Sequence, residues 1–239
     1  ETPWNPLGVA LIPGWSRSAS KGPGGGGISA RRLTRVPHKL LVKSMPKIQE
    51  LFVLAEDDQR LLAYRRKKWL RSAEFQEWLQ EGALPALTME QALELYRASG
   101  GRDAAGFKTN TIEDIRDGLD FLLYDNIKLE GRFDECAAPE GAYRMAGTGK
   151  EFPSYLLCLS NPGLFAVWNA NAEGLLKRAG LVPAGVRRGP IGIRYLDLLE
   201  SLNQVRARSG RHDFREIDEL AYQAARTKSS TKTAGGVIR

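Results

Sequence analysis

Apolar residues at intervals of three and four recur through most of this chain, and that spacing calls for amphipathic helices packed on one another. In "PKIQELFVLAEDDQRLLAYRRKKWLRSAEFQEWLQEG", starting at Pro46, the positions Ile48, Leu51, Phe52, Leu54 and Ala55, then Leu61, Leu62 and Tyr64, fall on helix faces. "LTMEQALELYRASGG" has Thr88 as an N-cap, Gln91 to complete a capping box, and Gly100 with Gly101 as a stop. "NTIEDIRDGLDFLLYD" aligns Ile112, Ile115, Leu119, Leu122 and Leu123. Further on, "NAEGLLKRAGL" ends at Gly180, "GPIGIRYLDLLESLNQVRARSG" is stopped by Gly210, and "DFREIDELAYQAAR" opens on Asp213 with Glu216 in the capping-box place. Strand signals are sparse, chiefly "GVALI" at 8–12, and neither repeats nor strand-helix alternation are visible. The expected class is all-α, with an irregular N-terminal arm.

At 239 residues the chain can bury a sizeable core. Three segments are expected: a Gly/Pro-rich basic arm over 1–46, a helical body over 47–226 and a polar tail over 227–239. "KGPGGGG" in the arm has high backbone entropy, and the residues after it carry Arg31, Arg32, Arg35, Lys39 and Lys43. The arm reads equally as a flexible tail or as a basic strap across phosphates, while Trp4 and Trp15 favour docking onto the body. No apolar run approaches the roughly 20 residues that span a bilayer. The opening "ETPWNPLGVALIPGWSR" is not expected to act as a signal peptide, so a soluble, bacterial cytoplasmic protein is the expectation.

Thirty-five Lys and Arg against 28 Asp and Glu give a net charge of +7, which permits an anionic partner without requiring one. "RRKK" at 65–68 fits the solvated face of a helix better than a nucleic-acid patch. Cys136, Cys158, His38 and His212 have no metal-ligand spacing, so two buried free thiols are expected, without a zinc site, a cofactor or a thiol-imidazole pair.

One segment carries more than packing. "MAGTGKEFPSYLLCLSNPGLFAVWN", residues 145–169, joins Gly147-Thr148-Gly149 to an apolar run and ends on Trp168 and Asn169. The glycines allow a tight turn, and the first N–H groups of the helix that follows can hold a phosphate oxygen. Taken alone, Gly-x-Gly is common in ordinary helix connections. The wider segment resembles the helix-hairpin-helix motif of the endonuclease III superfamily of DNA glycosylases. There a Gly-x-Gly hairpin opens a helix and a catalytic aspartate follows one apolar stretch later. The stretch from "YDNIKLEGRFDEC" to "NAEGLLKRAGL" also looks like helical domains of bacterial defence and restriction loci that carry an "NP-x-x-F-x-x-x-N" segment, and the likeness covers about residues 110–225.

The resemblance implies double-stranded DNA, including modified phage DNA, as partner and removal of a modified base as activity. It places Asn169, 20 residues after Gly149, where the aspartate would stand. An amide cannot ionise, so either another carboxylate takes over or the domain binds without chemistry. Bifunctional members form a Schiff base through a lysine two residues after the second hairpin glycine. Here that position is Glu151, and Lys150, one residue earlier, would point about 100° away on a helix. Lyase action through Lys150 is therefore not expected.

Glu151 is the nearest carboxylate for the sugar, or else a residue that favours a helix N-terminus. Asn169 either orients water or caps the next helix, and Asn171 has the same two readings. Trp168, Tyr143 and Tyr155 are the aromatics for a base pocket, with core packing as the alternative. Gly147, Thr148, Gly149 and Lys150, with Arg187 and Arg188 of a Gly-bounded loop and Arg31 and Arg32 of the arm, complete the expected DNA contacts. The rival expectation is a non-catalytic module that recognises modified DNA for a partner nuclease or ATPase.

Overall fold

The structure, a computed structural model, describes residues 52–184 and 189–233, with side chains as far as 226. The arm, the "GVALI" segment, Ile48, Leu51, Arg187, Arg188 and the last six residues lie outside the described residues. The described residues belong to a compact unit spanning Lys39–Arg239. Among them every regular element is helical: α1 (Gln59–Trp69), α2 (Ser72–Trp78), a 3-10 turn (Leu84–Ala86), α3 (Met89–Ser99), α4 (Ala104–Phe107), α5 (Ile112–Tyr124), α6 (Leu129–Ala137), α7 (Glu151–Ser160), α8 (Ala170–Ala179), α9 (Ile191–Ser209) and α10 (Phe214–Thr233). No helix among the described residues is long and apolar enough to cross a membrane.

The expected stops and caps explain most boundaries. Thr88 with Gln91 forms the expected capping box at the start of α3, and Thr111 with Asp114 forms a further one, not anticipated, at the start of α5. Gly100, Gly180 and Gly210 close α3, α8 and α9 in the left-handed conformation. Asp213 accepts the Glu216 N–H, but the Glu216 carboxylate turns to the His212 N–H rather than completing a box.

Three expectations fail locally. Residues 52–58 are not helical. The Gln223 amide accepts the Ala55 N–H and donates to the Val53 carbonyl, both at 2.8 Å, and Asp58 caps α1 through the Arg60 N–H. The "RRKK" run does not lie wholly in solvent: Arg66 and Lys67 do, but Arg65 makes a bidentate contact with Glu219 and Lys68 is 3% exposed. Finally, α10 continues through Thr233 rather than giving way to a tail at 227.

Helix α7 is central. Phe152–Leu159 are all buried, so this helix is apolar all round and has no solvated face. It packs against α2, α3, α5 and α6, while α9 lies on α6, α8 on α10, and α10 on α1. Pro153 sits in its first turn, where a missing N–H costs no helical hydrogen bond. The thiols are buried and free, as expected, and burial pushes Cys136 up to about 12, which leaves it an unreactive thiol.

Candidate functional site

The hairpin that opens α7 is held from two sides. Asn110 accepts the Ala146 N–H at 2.8 Å and donates back to the Ala146 carbonyl at 3.2 Å. The Tyr96 hydroxyl donates to the Gly147 carbonyl at 2.8 Å and accepts the Asp103 N–H at 2.9 Å, which ties the hairpin to the loop after α3. Gly147 has φ +74°, and a Cβ there would stand 2.6 Å from the Phe107 nitrogen, so both conformation and space demand glycine. Thr148 is buried, and its hydroxyl donates to the Met145 carbonyl. Gly149 needs no such conformation; its missing side chain opens onto free space. Beside that space the N–H groups of Gly149, Lys150 and Glu151 meet no acceptor among the described residues, and no side chain caps α7. Three unpaired donors at the positive end of a helix suit an anion.

Glu151 is the first residue of α7 and the outer member of a charged cluster. Its carboxylate, 40% exposed, lies 3.7 Å from the Lys68 ammonium. Lys68, from α1, stands 3.4 Å from Asp218 of α10 and donates to the Tyr64 hydroxyl at 3.1 Å. The rings of Tyr64, Trp69 and Tyr155 surround the ammonium at 5.4 to 5.7 Å. Asp218, 1% exposed at its side chain, also accepts from Tyr64 at 2.7 Å and from the Asn169 amide at 2.9 Å. Three donors thus satisfy a carboxylate that would otherwise be prohibitively buried. Burial and Asp218 push the Tyr64 phenol well above its ordinary value, keeping it a neutral donor. Burial likewise raises Glu151, more than Lys68 draws it down.

Asn169 is 5% exposed and fully engaged: Oδ1 accepts the Ala172 N–H to cap α8, and Nδ2 donates to Asp218. Asn171 follows, half-buried, in the first turn of α8. Lys150 pairs with Glu173 and lies 4.4 Å above the Trp168 ring, so its ammonium is already committed within the protein. The three expected pocket aromatics separate. Trp168 is wholly buried, stacked with Phe133 and Tyr195, and its indole N–H donates to Glu173 at 2.7 Å. Tyr155 is wholly buried and donates to the Lys68 carbonyl. Tyr143 is exposed but stacks on Phe121 at 4.1 Å, on the α5 side. A platform built from all three is therefore corrected to two core residues and one surface ring, because α6 and α9 cover the indole and α1 covers the phenol.

The cluster contains residues that the sequence reading passed over: Lys68, Tyr64 and Asp218. A signal for Lys68 exists, since it falls seven residues after Leu61 and four after Tyr64, on the apolar stripe of α1. Asp218 is flanked by Ile217, Leu220 and Ala221, all buried. Among the described residues no cluster of His, Cys, Asp and Glu is arranged to hold a metal ion. Compared with protein-family models, curated proteins and solved structures, the chain matches none.

Proposed function

We propose that this chain is a helix-hairpin-helix DNA glycosylase in which Glu151, not Asn169, is the carboxylate that serves the sugar. The observation that carries the reading is the position of Glu151: a partly exposed carboxylate with a raised pKa, on a helix N-terminus with three unpaired N–H groups, backed by a buried ammonium. A backbone phosphate on those N–H groups would set the adjoining nucleotide against Glu151. As the N-glycosidic bond breaks, its electron pair leaves with the base and C1′ becomes oxocarbenium-like. Ionised Glu151 stabilises that charge, takes the proton of the water that adds to C1′ and gives it up to the departing base, so the products are the protonated free base, an abasic sugar and the regenerated carboxylate. Lys68 holds the carboxylate in place, Asp218 holds Lys68, and both are too buried to touch the sugar.

The substrate suggested by the resemblance to defence-locus domains is phage DNA bearing a bulky modified cytosine, such as glucosylated hydroxymethylcytosine. The test is incubation with modified and unmodified phage DNA followed by alkali. Strand breaks on modified DNA are expected, and Glu151→Gln should slow their appearance by about 100- to 10,000-fold while DNA affinity is retained. An absence of alkali-labile sites on every modified DNA sinks the enzyme.

A second reading, a non-catalytic module that recognises modified DNA, is favoured by Asn169, whose amide is used entirely within the protein, and by the burial of Trp168 and Tyr155. It predicts DNA binding that falls with salt and no base release by either protein.

A further inference from the structure

We infer that Asn169 is a positioning residue for Glu151: one proton of its amide fixes it to buried Asp218, and the other holds the Glu151 carboxylate to the same anchor. The inference rests on the reading of Glu151 as the carboxylate that serves the sugar. It starts from how the openings of α7 and α8 are joined. The wholly buried Ser154 hydroxyl donates to the Lys150 carbonyl at 2.8 Å and the Glu151 carbonyl at 3.0 Å, and accepts the Trp168 N–H at 2.8 Å. The backbone of Glu151 is thereby latched to the residue next to Asn169, and the Lys150–Glu173 pair ties the same two helix starts a second time.

The two side chains then converge on one anchor. Asn169 Oδ1 is taken by the Ala172 N–H, which leaves the amide with two protons to give. One goes to Asp218 Oδ1 at 2.9 Å. The other serves Glu151, whose carboxyl the Asn169 side chain draws toward the charged form as a donor. Lys68 makes the same bridge with its ammonium, 3.4 Å from Asp218 Oδ1 and 3.7 Å from Glu151 Oε1. A Cβ on Gly100 would stand 3.1 Å from that Oε1, so the loop after α3 lies against the same oxygen. Two carboxylates that share one ammonium repel each other, and Asp218 does raise Glu151. The amide and the ammonium offset that repulsion and fix where the Glu151 carboxylate points. Other capping residues cannot take both tasks: aspartate at neutral pH has no proton to give, and serine has one, on a shorter arm.

The experiment titrates the Glu151 carboxyl carbon by NMR in the full chain carrying isotope-labelled glutamate, without DNA, with Glu151→Gln identifying the signal. Lys68 and Tyr64 of α1, Asp218 of α10 and Arg102 of the loop after α3 are the other charged or titratable groups that act on Glu151. They are the same in every variant, so a difference reads Asn169. Asn169→Ser keeps an N-cap for α8 but not the second proton, and the Glu151 midpoint should rise by about half a pH unit. Base release from modified DNA at neutral pH should fall about 10- to 100-fold in kcat with DNA affinity kept. Asn169→Thr, which also caps, supplies the same measurements if melting curves show that the serine variant has failed to fold. A midpoint that the folded variants leave at its wild-type value makes Asn169 a cap alone and overturns the inference, even where wild type releases base. A raised midpoint beside a wild type that leaves no alkali-labile site on any modified DNA upholds the hold of Asn169 on Glu151 and overturns the enzyme reading.

Discussion

Helix α7 opens at Glu151 with no side-chain cap and three N–H groups unpaired, whereas α8 opens at Asn169 with its cap made and its amide tied to Asp218. The Lys150–Glu173 pair links the two openings, so they share one corner of the molecule and differ in what they leave for a partner. The α8 end spends its polar groups on the fold. The α7 end keeps them free, on a hairpin so braced by Asn110 and Tyr96 that freedom cannot be put down to looseness. An N-terminus that has no side-chain cap while its framework is fixed is open to a ligand, and one capped by its own buried asparagine is built for stability.

Substitutions should separate the two ends, and the largest effect belongs to the sealed one. Asp218→Ala removes the buried partner of Lys68, of the Tyr64 hydroxyl and of the Asn169 amide together. Stranding a buried charge in this way costs about 3–5 kcal/mol, to be read from urea unfolding. A loss below about 1 kcal/mol would mean that water already reaches the cluster. Gly147→Ala comes next, at about 1–3 kcal/mol for a left-handed alanine; its Cβ would also press on the Phe107 nitrogen. DNA binding should fall with it, because the open end depends on the hairpin's shape.

Asn169 sharpens the comparison. Asn169→Ala loses a cap worth about 1 kcal/mol and the donor to Asp218. Asn169→Asp keeps the cap but turns a carboxylate toward Asp218 Oδ1, which the native amide reaches at 2.9 Å. Two carboxylates there cannot both stay ionised, so the aspartate variant should be the less stable of the two at neutral pH and recover as pH falls. Melting temperatures of both variants from pH 5 to 8 check this. The same geometry gives a physical reason for an amide where the resembling family has an acid: the position faces Asp218 and has to donate.

Much of the fold was legible because caps and stops are local: Thr88, Gly100, Gly180 and Gly210 act through neighbours a few residues away. The hairpin's glycines were legible in kind, although only Gly147 needs its left-handed backbone. What was hidden is long-range. Nothing adjacent to Lys68 in sequence says that Asp218, 150 residues on, completes its pair, or that Gln223 would hold residues 53–55 out of a helix. The aromatics misled for the same reason. Tryptophan beside asparagine suits an open platform or a sealed cap, and only the packing of Phe133 and Tyr195 decides which.

The smallest expected effect tests the open end by pH. Burial raises Glu151 above the roughly 4.3 of an unfolded glutamate, with Lys68 opposing and Asp218 adding to the rise. A carboxyl group whose folded pKa is the higher one favours the folded state when protonated. Its contribution is therefore fully present below the unfolded pKa and is lost as pH rises through the folded value. Glu151→Gln, which cannot ionise, should lose none of it. The difference in stability between wild type and Glu151→Gln should accordingly shift against wild type across that window and level off above it, as measured by urea unfolding at pH steps from 4 to 8. A difference moving the opposite way would mean that Lys68 outweighs burial. Glu151 would then be a structural ion-pair partner like Asp218, and the contrast between the two helix openings would lose its chemical half.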